Sequence, residues 1–243
     1  MDSILFNIFL AIIPGTVWLL YFLKKDITPE PKRQILKIFL LGFMASVPAA
    51  ILELIMTKCL TAAPLADEVF FFVKYIFIIG LVEELIKYLT ARFWILGSSE
   101  IDEPIDIPLY MIISALGFAT AENVLIFLTQ ASPLLSDHLL LSFSRFVGAT
   151  LLHALCSGII GYFIATAYCG RKGWRNFKIL FGIALAILLH GLFDFFLESS
   201  IIKTMENGWG SSVLYSFLIL FVLFVFLSMG FRKVRKLNGA CKI

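Results

Sequence analysis

Charge is scarce in this 243-residue chain: Asp, Glu, Lys and Arg make up 15% of it against 60% apolar residues, and the mean hydropathy is +0.95. A soluble domain needs a larger polar share to cover its surface, so that class is excluded and an integral membrane protein is indicated. Twenty Lys plus Arg against seventeen Asp plus Glu leave a net charge of only +3. That offers neither a nucleic-acid footprint nor an acidic-substrate funnel, and no nucleic-acid partner is expected. Cysteine is sparse too. Cys59, Cys156, Cys169 and Cys241 share no CxxC or other ligand spacing, and an alternating topology is expected to put them at different membrane levels, so no disulfide framework or thiolate metal site follows. The only histidines are His138, His153 and His190, which excludes HExxH. Cys156-Ser157-Gly158, preceded by Ala154 and Leu155, falls short of a GxSG serine turn, and Asp194 has no second membrane aspartate with which to form an aspartic dyad.

What the chain has is long apolar runs. A hydrocarbon core about 30 Å thick needs roughly 20 helical residues, and seven stretches qualify, at approximately 3–23, 35–56, 69–94, 108–129, 143–167, 177–198 and 212–230. The first has no basic segment before it and is too long for a signal peptide, so it reads as a retained span. The expected fold is all-α: a single integral-membrane domain over 1–243, a polytopic bundle of seven helices with a catalytic core at 69–198 and flanking anchor spans at 3–56 and 212–230.

Orientation follows from Lys and Arg in the short connections, which stay cytoplasmic. The first connection carries Lys24, Lys25, Lys32 and Arg33, the fifth Arg171, Lys172 and Arg175, and the tail Arg232, Lys233, Arg235, Lys236 and Lys242. The alternate connections hold only Lys58, none, and Lys203. An external N-terminus and a cytoplasmic C-terminus are expected.

The remaining charges fall inside spans, where an ionised side chain at mid-bilayer costs roughly 2.5–3.5 kcal/mol on an insertion scale. Spans three to six carry Glu83, Glu84, Lys87, Glu122, Asn123, Arg145, His153, His190 and Asp194. Residues four apart share a helix face, which pairs Glu83 with Lys87 and His190 with Asp194. Counted from the span ends at about 1.5 Å per residue, the site candidates lie within roughly 10 Å of one another along the membrane normal. Small residues at Ala149, Ser157, Gly161 and Ala165, and at Ser114, Gly117 and Ala121, allow those helices to pack closely. One polar chamber can hold the whole set. Elsewhere the bland readings suffice: Lys37 and Lys74 snorkel, Glu53 reaches the outer interface, and the four acids Glu100, Asp102, Glu103 and Asp106 form a solvated turn without a chemical role.

Peptide hydrolysis needs a water, a base to activate it, and positive charge or donors at the developing oxyanion. The motifs Val82-Glu83-Glu84-Leu85-Ile86-Lys87, Gly117-Phe118-Ala119-Thr120-Ala121-Glu122-Asn123, His153 with Gly158 and Gly161, and His190-Gly191-Leu192-Phe193-Asp194 occur in order on four consecutive spans. Together they resemble the PrsW family of intramembrane proteases, as does the turn Glu103-Pro104-Ile105-Asp106, and the likeness covers roughly residues 75–198. The resemblance implies a prokaryotic cell-membrane protease within the CAAX-protease and bacteriocin-processing superfamily, cutting a membrane-bound anti-sigma factor. It puts Glu83 and Glu84 at the general-base and water-orienting positions and His190 in the essential set. Glu122 departs from the wider superfamily, which has a histidine there after FxxxH.

The resulting expectation is that His153, His190 and either Glu122 or Asp194 hold a zinc-type divalent metal, while Glu83 or Glu84 takes a proton from its water. Lys87 would keep one glutamate ionised, and Asn123 would donate to the oxyanion or carbonyl. The expected partners are a single-span membrane-protein substrate and the lipid bilayer. Two other classes fit the same residues: a proton- or cation-coupled transporter, since acids, a lysine and histidines also build relays, and a CAAX-like immunity or scaffold protein that binds without cutting.

Overall fold

The computed structural model describes residues 2–26, 28–98, 100–129, 134–207, 211–237 and 241. Among the described residues there is no strand, and the chain runs α1 (Asp2–Leu23), α2 (Lys32–Thr61), α3 (Asp67–Val73), a π-helical segment (Lys74–Gly80), α4 (Leu81–Trp94), α5 (Asp106–Thr129), α6 (Leu135–Val147), α7 (Ala149–Tyr168), a 3-10 turn (Lys172–Trp174), α8 (Arg175–Asn207) and α9 (Ser211–Arg235). All seven expected spans are helical. The third is continuous from α3 through the π segment into α4, and the fifth continues from α6 into α7 across a bend at Gly148. Six of the seven are long and apolar enough to cross a membrane; the third, interrupted by Lys74, Glu83, Glu84 and Lys87, is the exception. The protein is an integral membrane helix bundle.

The connections alternate between two ends. At one, the Tyr110 hydroxyl donates to Glu30, Lys37 lies over the Trp94 ring, Arg175 over the Tyr168 ring, and Arg235 donates to the Lys25 carbonyl. The basic connections therefore share this end. At the other, Asn7 donates to the Phe127 carbonyl and Ser142 to that of Leu10. Lys242, counted above for orientation, lies outside the described residues.

α5 is the axis of the bundle. It is apolar all round and buried almost throughout from Asp106 to Thr120, as expected of a helix surrounded by others. Gly42 of α2 sits against the Ser114 backbone and Gly117 of α5 against that of Phe39, so these helices meet backbone to backbone. A second crossing sets the site. A Cβ on Gly191 would come 2.6 Å from Ile76 Cα, and one on Gly80 would come 2.9 Å from the Ile187 carbonyl oxygen. Only glycines permit α8 to lie this close to the π segment, whose wider turn immediately precedes Glu83 and Glu84.

Three expectations are corrected. Cys169 and Cys241 form a disulfide: one follows α7 and the other the helical tail, and both connections lie at the basic end, so these cysteines are not at different levels. Asp106 does not lie on a solvated turn. It is fully buried, its Oδ2 accepting the backbone N–H of Glu103 at 2.7 Å and of Asp102 at 3.1 Å. Beside it, burial and the neighbouring charges of Asp26 and Asp102 push the Glu30 carboxyl above its ordinary value against the pull of its Tyr110 hydrogen bond. Glu53, finally, read above as an interface residue, lines the cavity described next.

Candidate active site

The expected chamber is present. Glu83, Glu84 and Lys87 of α4, Glu122 and Asn123 of α5, His153 and Ser157 of α7, and His190 and Asp194 of α8 form one connected network, with Arg145 of α6 at its rim. Lys87 is at its centre and wholly buried, its Nζ 2.6 Å from Glu84 Oε1, 3.3 Å from Glu83 Oε2 and 2.8 Å from His153 Nδ1. A buried ammonium is tolerated only with such compensation. The same Nζ lies 4.9 Å over the Phe118 ring, which adds a cation–π contact.

The hydrogen-bond pattern fixes what each imidazole offers. An ammonium only donates, so His153 Nδ1 accepts from Lys87 and its Nε2–H donates to Glu122 Oε2 at 2.9 Å. On His190 the Nδ1–H donates to Glu84 Oε1 at 2.7 Å, leaving Nε2 facing Asp194 Oδ2 at 3.3 Å and Glu83 Oε2 at 3.7 Å. The two rings stand edge to face with centroids 5.0 Å apart.

The two adjacent glutamates differ in surroundings. Glu84 has no exposure and accepts from Lys87, His190 and Ser157 Oγ, so its oxygens are committed to holding other groups. Glu83 lies on the wall of a cavity of about 650 Å³ shared with Glu53, Glu122, Arg145, His153 and His190. That cavity runs between α2, at Phe43 to Glu53, and the half of α5 from Phe118 to Leu128, so it meets the lipid-facing flank of the bundle.

Asn123 is fully buried behind the cavity wall: its Nδ2 donates to Thr150 Oγ1 and the Ala11 carbonyl, and its Oδ1 accepts from Arg145 Nε. Its donors are thus engaged within the protein, and it holds Arg145, whose Nη2 reaches Glu122 Oε2 at 3.1 Å. Three contributors escaped the sequence reading: Ser157, seen there only as a small packing residue, Thr150, and Glu53. Glu53 Oε1 is buried and has no hydrogen-bond partner. Its only signal was a lone acid within an apolar span.

The donor set suits a divalent metal. Glu83, His153 and His190 are all buried and offer ligand atoms within 4.8 Å of one another, a carboxylate with two imidazoles that leaves a further position open. The Glu84 contact on His190 Nδ1 is the outer support that metal-bound imidazoles ordinarily have. Lys87 competes for His153 Nδ1. A second group, Glu84, Cys156 and His190, lies beside the first. Glu122 and Asp194, expected as the third ligand, each approach one imidazole, and neither enters a three-residue group among the described residues.

A membrane-embedded helix bundle that encloses acid–base groups beside a laterally placed cavity has the parts that an intramembrane hydrolase requires. The model of the family described as PrsW family intramembrane metalloprotease matches residues 30–228, and the chain belongs to that family. Similar curated proteins include Protease PrsW of Geobacillus kaustophilus (strain HTA426), 29% identical over 82% of this chain and 80% of its own length. Protease PrsW of Clostridioides difficile (strain 630) is 29% identical over 87% and 84%, and that of Bacillus subtilis (strain 168) 27% over 78% and 81%. No solved structure matches the chain significantly. The protein is an intramembrane protease of the PrsW family in the cell membrane.

Proposed function

We propose that this protease hydrolyses a peptide bond in or next to the membrane segment of a single-span protein, with Glu83 as the base that activates the water. The observation that carries this reading is the contrast between the two glutamates: Glu84 is consumed by internal hydrogen bonds, and Glu83 faces the cavity. Glu84 then acts as a positioning residue, orienting His190 and fixing Lys87. Lys87 Nζ, 3.3 Å from Glu83 Oε2, holds that carboxyl group at the cavity wall. Arg145 brings positive charge to the cavity wall and anchors Glu122.

The family's metal, when bound, would be held by His153 and His190, leaving Glu83 beside them as the base, and would supply a Lewis acid for the scissile carbonyl and a more acidic water. The charge balance supports that fit. By formal charge Glu53, Glu83, Glu84, Glu122 and Asp194 outnumber Lys87 and Arg145 by three, so the cluster is suited to gain a divalent cation. Zinc is the ion we infer from the nitrogen-rich donors.

A transmembrane substrate hides its amides in helical hydrogen bonds, so the segment must unwind before attack. The flank between α2 and α5 is the entry we assign to it, with a membrane-bound anti-sigma factor as the first substrate to test. We also assign the basic end to the cytoplasm, on the charge of its connections. The test is cleavage in proteoliposomes. Purified wild-type protein should cut a single-span anti-sigma substrate, and Glu83→Gln and His190→Ala should lose at least 100-fold in rate while melting near the wild-type temperature. Unimpaired cleavage by either folded variant would contradict the assignment.

A further inference from the structure

At the basic end of the bundle, apart from the cavity, three acids from distant segments converge. Asp26 follows α1, Glu30 precedes α2 and Asp106 opens α5, and one oxygen from each lies within 4.8 Å of the others. Turn formation explains half of Asp106: Oδ2 takes the two backbone N–H groups of Asp102 and Glu103. It leaves Oδ1, which is buried in a fully buried residue and has no hydrogen-bond partner.

Buried carboxylates are ordinarily paired with a cation or saturated with donors. Tyr110 donates one hydrogen bond to Glu30, but among the described residues no Lys, Arg or His forms an ion pair with Glu30 or Asp106. Asp26 and Glu30 are only partly buried, so an ion can reach the cluster from solvent. The donors are oxygens alone, with neither imidazole nor thiolate, which suits hard cations and contrasts with the intramembrane group.

We propose that Asp26, Glu30 and Asp106 form a binding site for a hard divalent cation, Ca²⁺ or Mg²⁺, which ties the α1–α2 connection to the start of α5. Carboxylates and water complete the coordination of either ion, Ca²⁺ accepting more ligands and looser geometry. The effect is structural: α5 carries Glu122 and packs against α1, α2 and α7, so a cation at its first residue braces the helix that the cavity is built on.

The site is tested apart from proteolysis. Full-length protein, purified in detergent and stripped with EDTA, is titrated with CaCl2 and separately with MgCl2 by calorimetry and by thermal melting. Saturable binding with a rise in Tm is expected in wild type and in His190→Ala, with affinity at least tenfold weaker in Asp106→Asn and Glu30→Gln. Glu30→Gln keeps the proposal testable if loss of the Oδ2 contacts unfolds Asp106→Asn. Absence of binding in wild type would overturn the proposal and assign the shared charge to a proton. Binding undiminished in Glu30→Gln, or abolished in His190→Ala, would overturn it by placing the ion elsewhere.

Discussion

Glu84 Oε1 and His190 Nδ1, 106 residues apart in the chain, meet at 2.7 Å inside the membrane. This contact joins the third span to the sixth and sets the tautomer that leaves His190 Nε2 toward Glu83. Glu84→Gln should therefore lower cleavage by about 10–100-fold, the usual effect of removing an imidazole's outer support. The loss should appear in kcat with little change in KM, because Glu84 does not line the cavity. A change confined to KM would contradict this role.

Lys87 is a structural centre as well as a charge. Replacing it with Met leaves Glu83 and Glu84 without their shared cation, and breaking a buried pair in this way costs about 3–5 kcal/mol. Thermal melting in detergent should show a large drop for Lys87→Met. A melting temperature within a degree or two of wild type would show that the carboxylates find other partners.

The helix crossing beneath the site gives a prediction with an internal control. Gly191→Val drives side-chain atoms into the Ile76 backbone, and overpacking of this kind costs about 1–3 kcal/mol. Activity should fall with stability, since α8 carries His190. Gly173→Ala, with nothing within 4 Å of its added Cβ, should change neither.

Glu53 should behave in the opposite sense. Its buried Oε1 has no partner, so Glu53→Leu removes an uncompensated polar group and should stabilise the protein by about 1–3 kcal/mol. Because Glu53 lines the cavity wall, KM should change in the same variant. Destabilisation would mean that the carboxylate has a partner in the membrane.

Cysteine accessibility tests the proposed orientation. Cys59 is exposed near the end of α2 away from the basic connections, Cys156 is buried, and Cys169 is bonded to Cys241. A membrane-impermeant maleimide applied to intact cells should label Cys59. Labelling only after permeabilisation would reverse the orientation.

Most of the fold was legible because apolar runs long enough to span a bilayer admit few alternatives to helices. The chamber was legible for a related reason: charges inside such runs are costly, so Glu83, Glu84, Lys87, Glu122, His153, His190 and Asp194 had to find one another. The roles within it were less readable. Helical spacing pairs Glu83 with Lys87, but it does not say that Glu84 makes the shorter contact or that Lys87 reaches His153 on another helix. The π segment shifts the register just before the glutamates and leaves no mark in hydropathy. Asn123 looked like an oxyanion donor because its commitments to Ala11, Thr150 and Arg145 depend on tertiary contacts. Asp106 and Glu53 were misplaced by one assumption, that an acid near a span end is solvated. The disulfide was missed because Cys169 and Cys241 were judged by spacing and not by the end of the bundle they share.

The central claim is that Glu83, in contact with Lys87 and the two histidines, activates the water for peptide cleavage. Single-turnover cleavage of a single-span substrate in proteoliposomes, comparing wild type with folded Glu83→Gln, tests it most directly. The account predicts that the rate of bond cleavage falls at least 100-fold in the variant while substrate binding persists. Wild-type cleavage by Glu83→Gln would contradict it.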